Sequence, residues 1–232
     1  RNIKFADEMF VLNRNHVLGI CELLKSRDYS VNIWAYARVD SVADEFLDAL
    51  KAAGINWLCL GIESASDHVR DGAKKIYGND DILDVTRRIQ GAGINIIGNY
   101  IFGLPDDNME RMRQTLDLAL DLNCEFANFY SAMAYPGSKL YDAALVDGTP
   151  LPATWKDFSQ HGYDALPLAN KHCEAGEILR FRDAAFQEYF TGPAYLAMVE
   201  KKFGVQVVDH IGRMVAILLG RKLLDEKEPA SS

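Results

Sequence analysis

The amino-acid sequence predicts an α/β protein: about five βα units repeated around a curved parallel sheet, followed by a helical C-terminal extension. Three observations carry that expectation. Residues 3–135 alternate strand-like and helix-like patterns with short connections, the arrangement that builds parallel βα units with right-handed crossovers. "AAGINWLCLGIES" at 52–64 recurs as "GAGINIIGNYIFGLP" at 91–105, each copy running from a helix end through glycine and Ile-Asn into an apolar strand. Several strands are long apolar runs, as expected where both faces of a sheet are covered.

The elements follow in order. "IKFADEMF" reads as a first strand ending in acids. "NRNHVLGICELLKSRD" reads as a helix capped by Asn13 or Asn15, with Val17, Ile20 and Leu24 on one face. "YSVNIWAYARVD" is the second strand. "SVADEFLDALKAAG" is the second helix, with Ser41 as its cap, Phe46, Leu50 and Ala53 inward, and Gly54 as its stop. Strand "INWLCLGIES" leads to helix "DDILDVTRRIQGAG", whose inward residues are Ile82, Val85 and Ile89. Strand "INIIGNYIFGLP" leads to helix "NMERMRQTLDLALDLN", with Met109, Met112, Leu116 and Ala119 inward, and then to strand "EFANFYSAMAYPG". The expected run of βα units covers residues 1–148 and the extension residues 149–232. Within the extension, residues 147–170 are rich in Pro, Gly and aromatics without periodicity, a long loop of the kind that covers a site. Helices are expected over 174–190, 193–204 and 207–227, and the final "EPASS" reads as disordered. Lys201, Lys202, Arg221 and Lys222 are expected on a solvated face, and His161 as a satisfied surface histidine.

Composition narrows the function. The 232 residues are 49% hydrophobic and 25% charged, with a net charge of -8, an ordinary globular balance that argues against a non-specific nucleic-acid binder. No apolar run approaches the ~20 residues of a membrane helix. The four cysteines, Cys21, Cys59, Cys124 and Cys173, have no paired spacing, which suggests a reducing cytoplasm and neither a disulfide framework nor a zinc knuckle.

Ligands of parallel sheets collect at the C-terminal ends of the strands. Those ends supply Asp7 and Glu8, Arg38 and Asp40, Glu63 and Ser64, then Asn99, Gly103, Asp106 and Asp107, and finally Tyr135. Helix capping accounts equally well for Asp106, Asp107 and Ser64. It accounts less well for Glu63, since Glu is a poor cap and directly follows an apolar strand. Arg38 is equally readable as a carboxylate-binding fork or as the ion-pair partner of Asp40 or Asp7.

"FADEMF", "ARVD", "LGIES" and "NYIFGLPDD", followed by "YPGSKLY", stand in an order and spacing that resemble the later part of the radical S-adenosylmethionine (SAM) enzymes. The resemblance is to the branch whose members often carry a cobalamin-binding domain upstream. It implies a partial (βα)6 barrel of which this chain corresponds to strands two to six. It further implies that Asp7 and Glu8 stand where the SAM amino group is met, and that Arg38 meets the SAM carboxylate. On the same ground Glu63 binds the ribose hydroxyls, Asn99, Ile101 and Gly103 adjoin adenine, and Tyr135 lies on the same rim. A carboxylate suits a vicinal diol, offering about four lone-pair sites and no competing donor.

The family holds a [4Fe-4S] cluster on three cysteines spaced CxxxCxxC, and this sequence has no such triplet: its nearest cysteines, Cys21 and Cys59, are 38 residues apart. The resemblance therefore implies a piece of a radical SAM enzyme, one that cleaves SAM to a 5′-deoxyadenosyl radical or transfers methyl groups through cobalamin. The piece itself is expected to be inactive, its cluster-binding loop preceding residue 1. Its first strand is expected to expose an unpaired edge prone to self-association. Two readings stand beside this one: an unrelated (βα) barrel working by acid–base chemistry through Glu63 and Asp7, and a non-catalytic barrel module.

Overall fold

The computed structural model describes residues 1–66 and 78–225. Its contacts divide the chain into two compact units, one formed by residues 1–100 and 118–128, the other by 101–117 and the chain from 129 onward. A five-stranded sheet in the order β1-β2-β3-β4-β5 runs through the α/β framework. Its strands are β1 (Asn2–Lys4), β2 (Asn32–Arg38), β3 (Ile55–Glu63), β4 (Asn95–Phe102) and β5 (Phe126–Ser131). The pairs β1/β2, β2/β3 and β3/β4 are parallel.

The first unit follows the sequence pattern closely. Helix α1 (Arg14–Ser26) is capped by Asn13, whose side chain accepts from the His16 backbone N–H, the expected use of Asn at this position. Helix α2 (Asp44–Ala52) buries Phe46, Leu47 and Leu50 and stops before Gly54, which has φ +82. A side chain at Gly54 would collide with the Val31 carbonyl, 2.6 Å from an ideal Cβ. Helix α3 (Asn79–Gly91) buries Ile82, Val85 and Ile89 as their spacing predicts. Between α2 and α3, Arg88 pairs with Asp44. Glu125 accepts from the Ile96 N–H at 2.7 Å and from Gln90 at 3.2 Å, so an acid just before β5 satisfies the start of β4.

Four expectations for this half need correction. The first strand is three residues long, because Phe10–Leu12 forms a 3-10 turn and Asp7 accepts from the Met9 N–H. That local bond diverts the chain from the ladder. Ser41 does not cap α2: its hydroxyl accepts from the Arg38 N–H and donates to the Arg38 carbonyl, closing the turn after β2, and Ala43 takes the cap position. The buried face of α1 is Val17 and Cys21, with Ile20 and Leu24 only half-buried. On α4 (Met109–Leu122), Met112, Leu116 and Ala119 are buried but Met109 is exposed.

In the second unit, α5 (Lys139–Asp147) is a helix the sequence reading missed, capped by Ser138 and stopped by Gly148 at φ +68. Helix α6 (Ala175–Thr191) places Ile178, Ala185 and Tyr189 in an aromatic core with Phe129 and Phe190. Helices α7 (Pro193–Phe203) and α8 (Val205–Val215) follow, then a short α9 (Lys222–Asp225). The expected helix over 207–227 therefore breaks after Val215. The reason is Arg221, which is 2% exposed and not on a solvated face. It grips Asp183 with two bonds of 2.8 Å and the Gln160 and Gly162 carbonyls with two more. No helix of the described residues is long and apolar enough to cross a membrane. The terminal "EPASS" lies outside the described residues.

Candidate functional site

Strand register sets the first unit's side chains in rows. Residues two apart on a strand share a face, and in-register partners place Lys4, Trp34, Trp57 and Asn95 in one row. Tyr36, Cys59 and Ile97 form the next, and Arg38, Gly61 and Asn99 the third. The Lys4 ammonium lies 4.7 Å from the Trp34 ring centroid and 5.4 Å from that of Tyr36, a cation–π arrangement. Asn99 donates to the Cys59 sulfur at 3.0 Å and accepts from Asn128 at 2.9 Å. Cys59 thus belongs to a polar ladder as well as to the core, and burial pushes its thiol up despite the Asn99 bond.

Above these rows β3 becomes irregular. Gly61 pairs with Asn99, yet Glu63 pairs with Tyr100, the next residue of β4, so Ile62 is an extra residue on the β3 side. Glu63 itself sits at φ +70. A bulge re-aims a strand end, and a non-glycine residue in the left-handed region costs ~1–3 kcal/mol that the surroundings must offset. Nothing in the helix-capping explanation requires that strain. Arg38, in the row below, makes a two-pronged pair with Asp40 at 2.9 and 2.6 Å. Asp7 and Glu8 are exposed in the turn after β1.

The second unit carries Ile101, Gly103 and Tyr135. Ile101 is half-buried. Gly103 has φ +84, and a Cβ there would stand 2.6 Å from the Ile178 side chain, so close packing alone requires glycine. Its N–H donates to Asp107 at 3.0 Å, and Asp107 also accepts from the Asn108 N–H. Asp107 is fully buried, and burial pushes its carboxyl up to about 6 against those two bonds. Tyr135 is exposed and stacks on Phe158 with centroids 5.5 Å apart.

The long 147–170 loop crosses the strand ends of this unit. Gln160 accepts from the Ser131 N–H at 3.0 Å and donates to the Ser131 carbonyl at 2.9 Å. The Leu168 N–H donates to the Ala132 carbonyl. Asn170 donates to the Leu104 carbonyl at 2.9 Å while accepting from the His172 and Cys173 N–H groups, and Lys171 pairs with Asp106. Gln160, Asn170 and Arg182 were not singled out in the sequence, and no motif marks them. The ends of β4 and β5 are therefore roofed by side-chain-to-backbone bonds.

Known proteins fit this geometry. The family model of the radical SAM superfamily matches residues 11–119. Over those residues the chain is similar to the radical SAM superfamily. An uncharacterized methyltransferase of Pyrococcus horikoshii is 25% identical over 196 residues, 84% of this chain and 42% of its own length. Among solved structures, coproporphyrinogen III oxidase (HemN) of Escherichia coli, a radical SAM enzyme, matches with a TM-score of 0.56 at 17% identity. That match covers 82% of this chain and 43% of HemN. The radical SAM methyltransferase TsrM of Kitasatospora setae matches with a TM-score of 0.56 at 18% identity, covering 66% and 32% respectively. The shared fold is the partial (βα) barrel of parallel strands. This chain spans less than half the length of the curated relatives it matches.

The radical SAM cluster itself does not fit the cysteines present. Cys21 is on α1, Cys59 on β3, Cys124 after α4 and Cys173 before α6, and each is a buried free thiol. Cluster ligands must converge on one point, and the described residues hold no group of three metal-ligating side chains.

Proposed function

We propose that residues 1–148 form the nucleoside-binding part of a radical SAM enzyme of the cobalamin-associated branch, with residues 149–232 as its helical extension. In the whole enzyme SAM supplies a 5′-deoxyadenosyl radical, or its methyl group by way of cobalamin; this chain's residues bind and orient the nucleoside. Glu63 accepts from the two ribose hydroxyls. Asn99, Ile101 and Gly103 adjoin the adenine, Arg38 and the Asp7–Glu8 turn take the amino-acid end, and Tyr135 stands on the rim. Methyl transfer is favoured by the named methyltransferases among the relatives.

The observation that carries the reading is the backbone of Glu63. A carboxylate at the end of an apolar strand, on a bulge and at φ +70, is a residue kept in a costly conformation, and such positions cluster at ligand sites. The chain's lack of a CxxxCxxC triplet makes binding, not turnover, the right readout. Calorimetry with S-adenosylhomocysteine and with its 2′,3′-dideoxyribose analogue tests the role of the diol. Binding of the first and a loss of at least about tenfold for the second is expected, since hydrogen bonds to a charged group contribute ~1.5–3 kcal/mol. Equal affinity for both would remove Glu63 from the ribose.

A further inference from the structure

A buried polar cluster in the second unit lies outside the proposed nucleoside site. Arg182, 4% exposed on α6, donates from Nε to the Phe129 carbonyl at the end of β5 (2.8 Å), from Nη1 to Asp183 (2.8 Å), and from Nη2 to His161 Nε2 (3.0 Å). Arg221 holds the other side of Asp183 and the carbonyls of Gln160 and Gly162, the two residues flanking His161. Gln160 in turn clamps the backbone of Ser131 at the tip of β5. His161 itself is exposed. One guanidinium thus ties an exposed imidazole to a strand end, and the neighbours of that imidazole hold the loop down.

We propose that the 147–170 loop is a strap over the end of β5 whose latch is the Arg182–His161 hydrogen bond, and that protonation of His161 releases it. The chemistry is forced by donor counting. A guanidinium only donates, so Nε2 must offer its lone pair and the imidazole must be neutral with its proton on Nδ1. A proton added at Nε2 turns the contact into two donors and two positive charges face to face. The groups facing the ring are Arg182 and Asp183 from α6 and Arg221 from the segment before α9, with Tyr130 beside Arg182. The one carboxylate among them is already bonded by both guanidinium groups, so no free anion receives the imidazolium and the ring swings out. Partial desolvation of the ring where it meets α6, together with the two arginines, holds the His161 pKa below its ordinary value, so the neutral, latched form is the resting one. Gln160 and Gly162 move with the ring, loosening the Ser131 clamp.

The test is ¹H–¹⁵N spectroscopy of the 232-residue chain over about pH 5 to 8, the range in which histidine titrates. At the upper end the His161 ring should show the Nδ1–H tautomer. On acidification the Ser131 and Gly162 amides should shift with the same midpoint as the ring, the ratio of released to latched form rising tenfold per pH unit. His161→Gln, which accepts from Arg182 but cannot be protonated, should hold both amides at their latched positions throughout. An Nε2–H tautomer at the upper end, amides that stay still through the His161 step, or equal movement in His161→Gln would each overturn the proposal.

Discussion

The end of β3 and the end of β5 finish parallel strands of one sheet in opposite ways. At β3 the backbone bears the cost: an extra residue at Ile62 and a left-handed Glu63, with that carboxylate half-buried. At β5 side chains do the covering: Gln160 satisfies both polar groups of Ser131, and Arg182 takes the Phe129 carbonyl. Where a strand end is roofed by its own chain, its hydrogen-bonding groups are consumed and it is stable. The bulged and strained end is the one to which we assign the ligand, since strained backbone positions cluster at ligand sites.

The largest expected effect is at the roofed end. Arg221→Met removes the donors to the Gln160 and Gly162 carbonyls and halves the partners of Asp183. Breaking one side of a buried ion pair costs ~3–5 kcal/mol, to be read from the urea midpoint. A loss under about 1 kcal/mol would show that the cluster contributes little.

Asp107 gives the next effect. Its folded pKa of about 6 lies above the ordinary 3.8, so the folded state binds this proton more tightly than the unfolded chain. The resulting stability is fully present below pH 3.8 and is lost as pH rises through 6. It amounts to ~3 kcal/mol, at 1.36 kcal/mol per pH unit. The difference in unfolding free energy between wild type and Asp107→Asn should fall over that window. A flat difference would contradict the burial of an ionisable carboxyl there. His161 has the opposite sign, its lowered pKa favouring the fold as pH rises, so the two groups can be separated by direction.

At the strained end the effect is smaller and reversed. Glu63→Gly relieves the φ +70 penalty and should stabilise the chain by about 1 kcal/mol while abolishing nucleoside binding. Destabilisation would mean that Glu63 is there for packing. Smallest of all is Arg113→Ala. It breaks pairs with Asp117 and Glu188 at 2.5 and 2.8 Å, but on a side chain 44% exposed the loss should stay within ~1 kcal/mol. The exposed edge of β1 sharpens the comparison in another way. Self-association through it is expected by size exclusion, and a strict monomer at all concentrations would show that a three-residue edge is too short to pair.

The βα alternation was legible because its signals are local. Ile82, Val85 and Ile89 repeat at helical spacing, and Gly54 supplies the left-handed stop, so α2, β3 and α3 stand where expected. Helix α5 was obscured by the glycine and proline on either side of a nine-residue run. The break after Val215 was invisible because its cause is Asp183, on another helix 38 residues from Arg221. An arginine on an amphipathic stretch reads as solvated; only the fold brings it a carboxylate and two carbonyls. At the candidate site the identity of Glu63 was legible as a poor cap after an apolar strand. Its bulge was not, since it arises from the pairing of β3 with β4 and has no residue signature.

We propose that Glu63 is held in strain in order to bind a ribose diol. Its most direct measurement is the affinity of S-adenosylhomocysteine for the wild-type chain and for Glu63→Gln, which keeps the side-chain shape and removes the charge. Binding by wild type and a loss of about tenfold or more in the variant are expected, without change in the unfolding midpoint. Equal binding by the two proteins, or no binding by either, would contradict it.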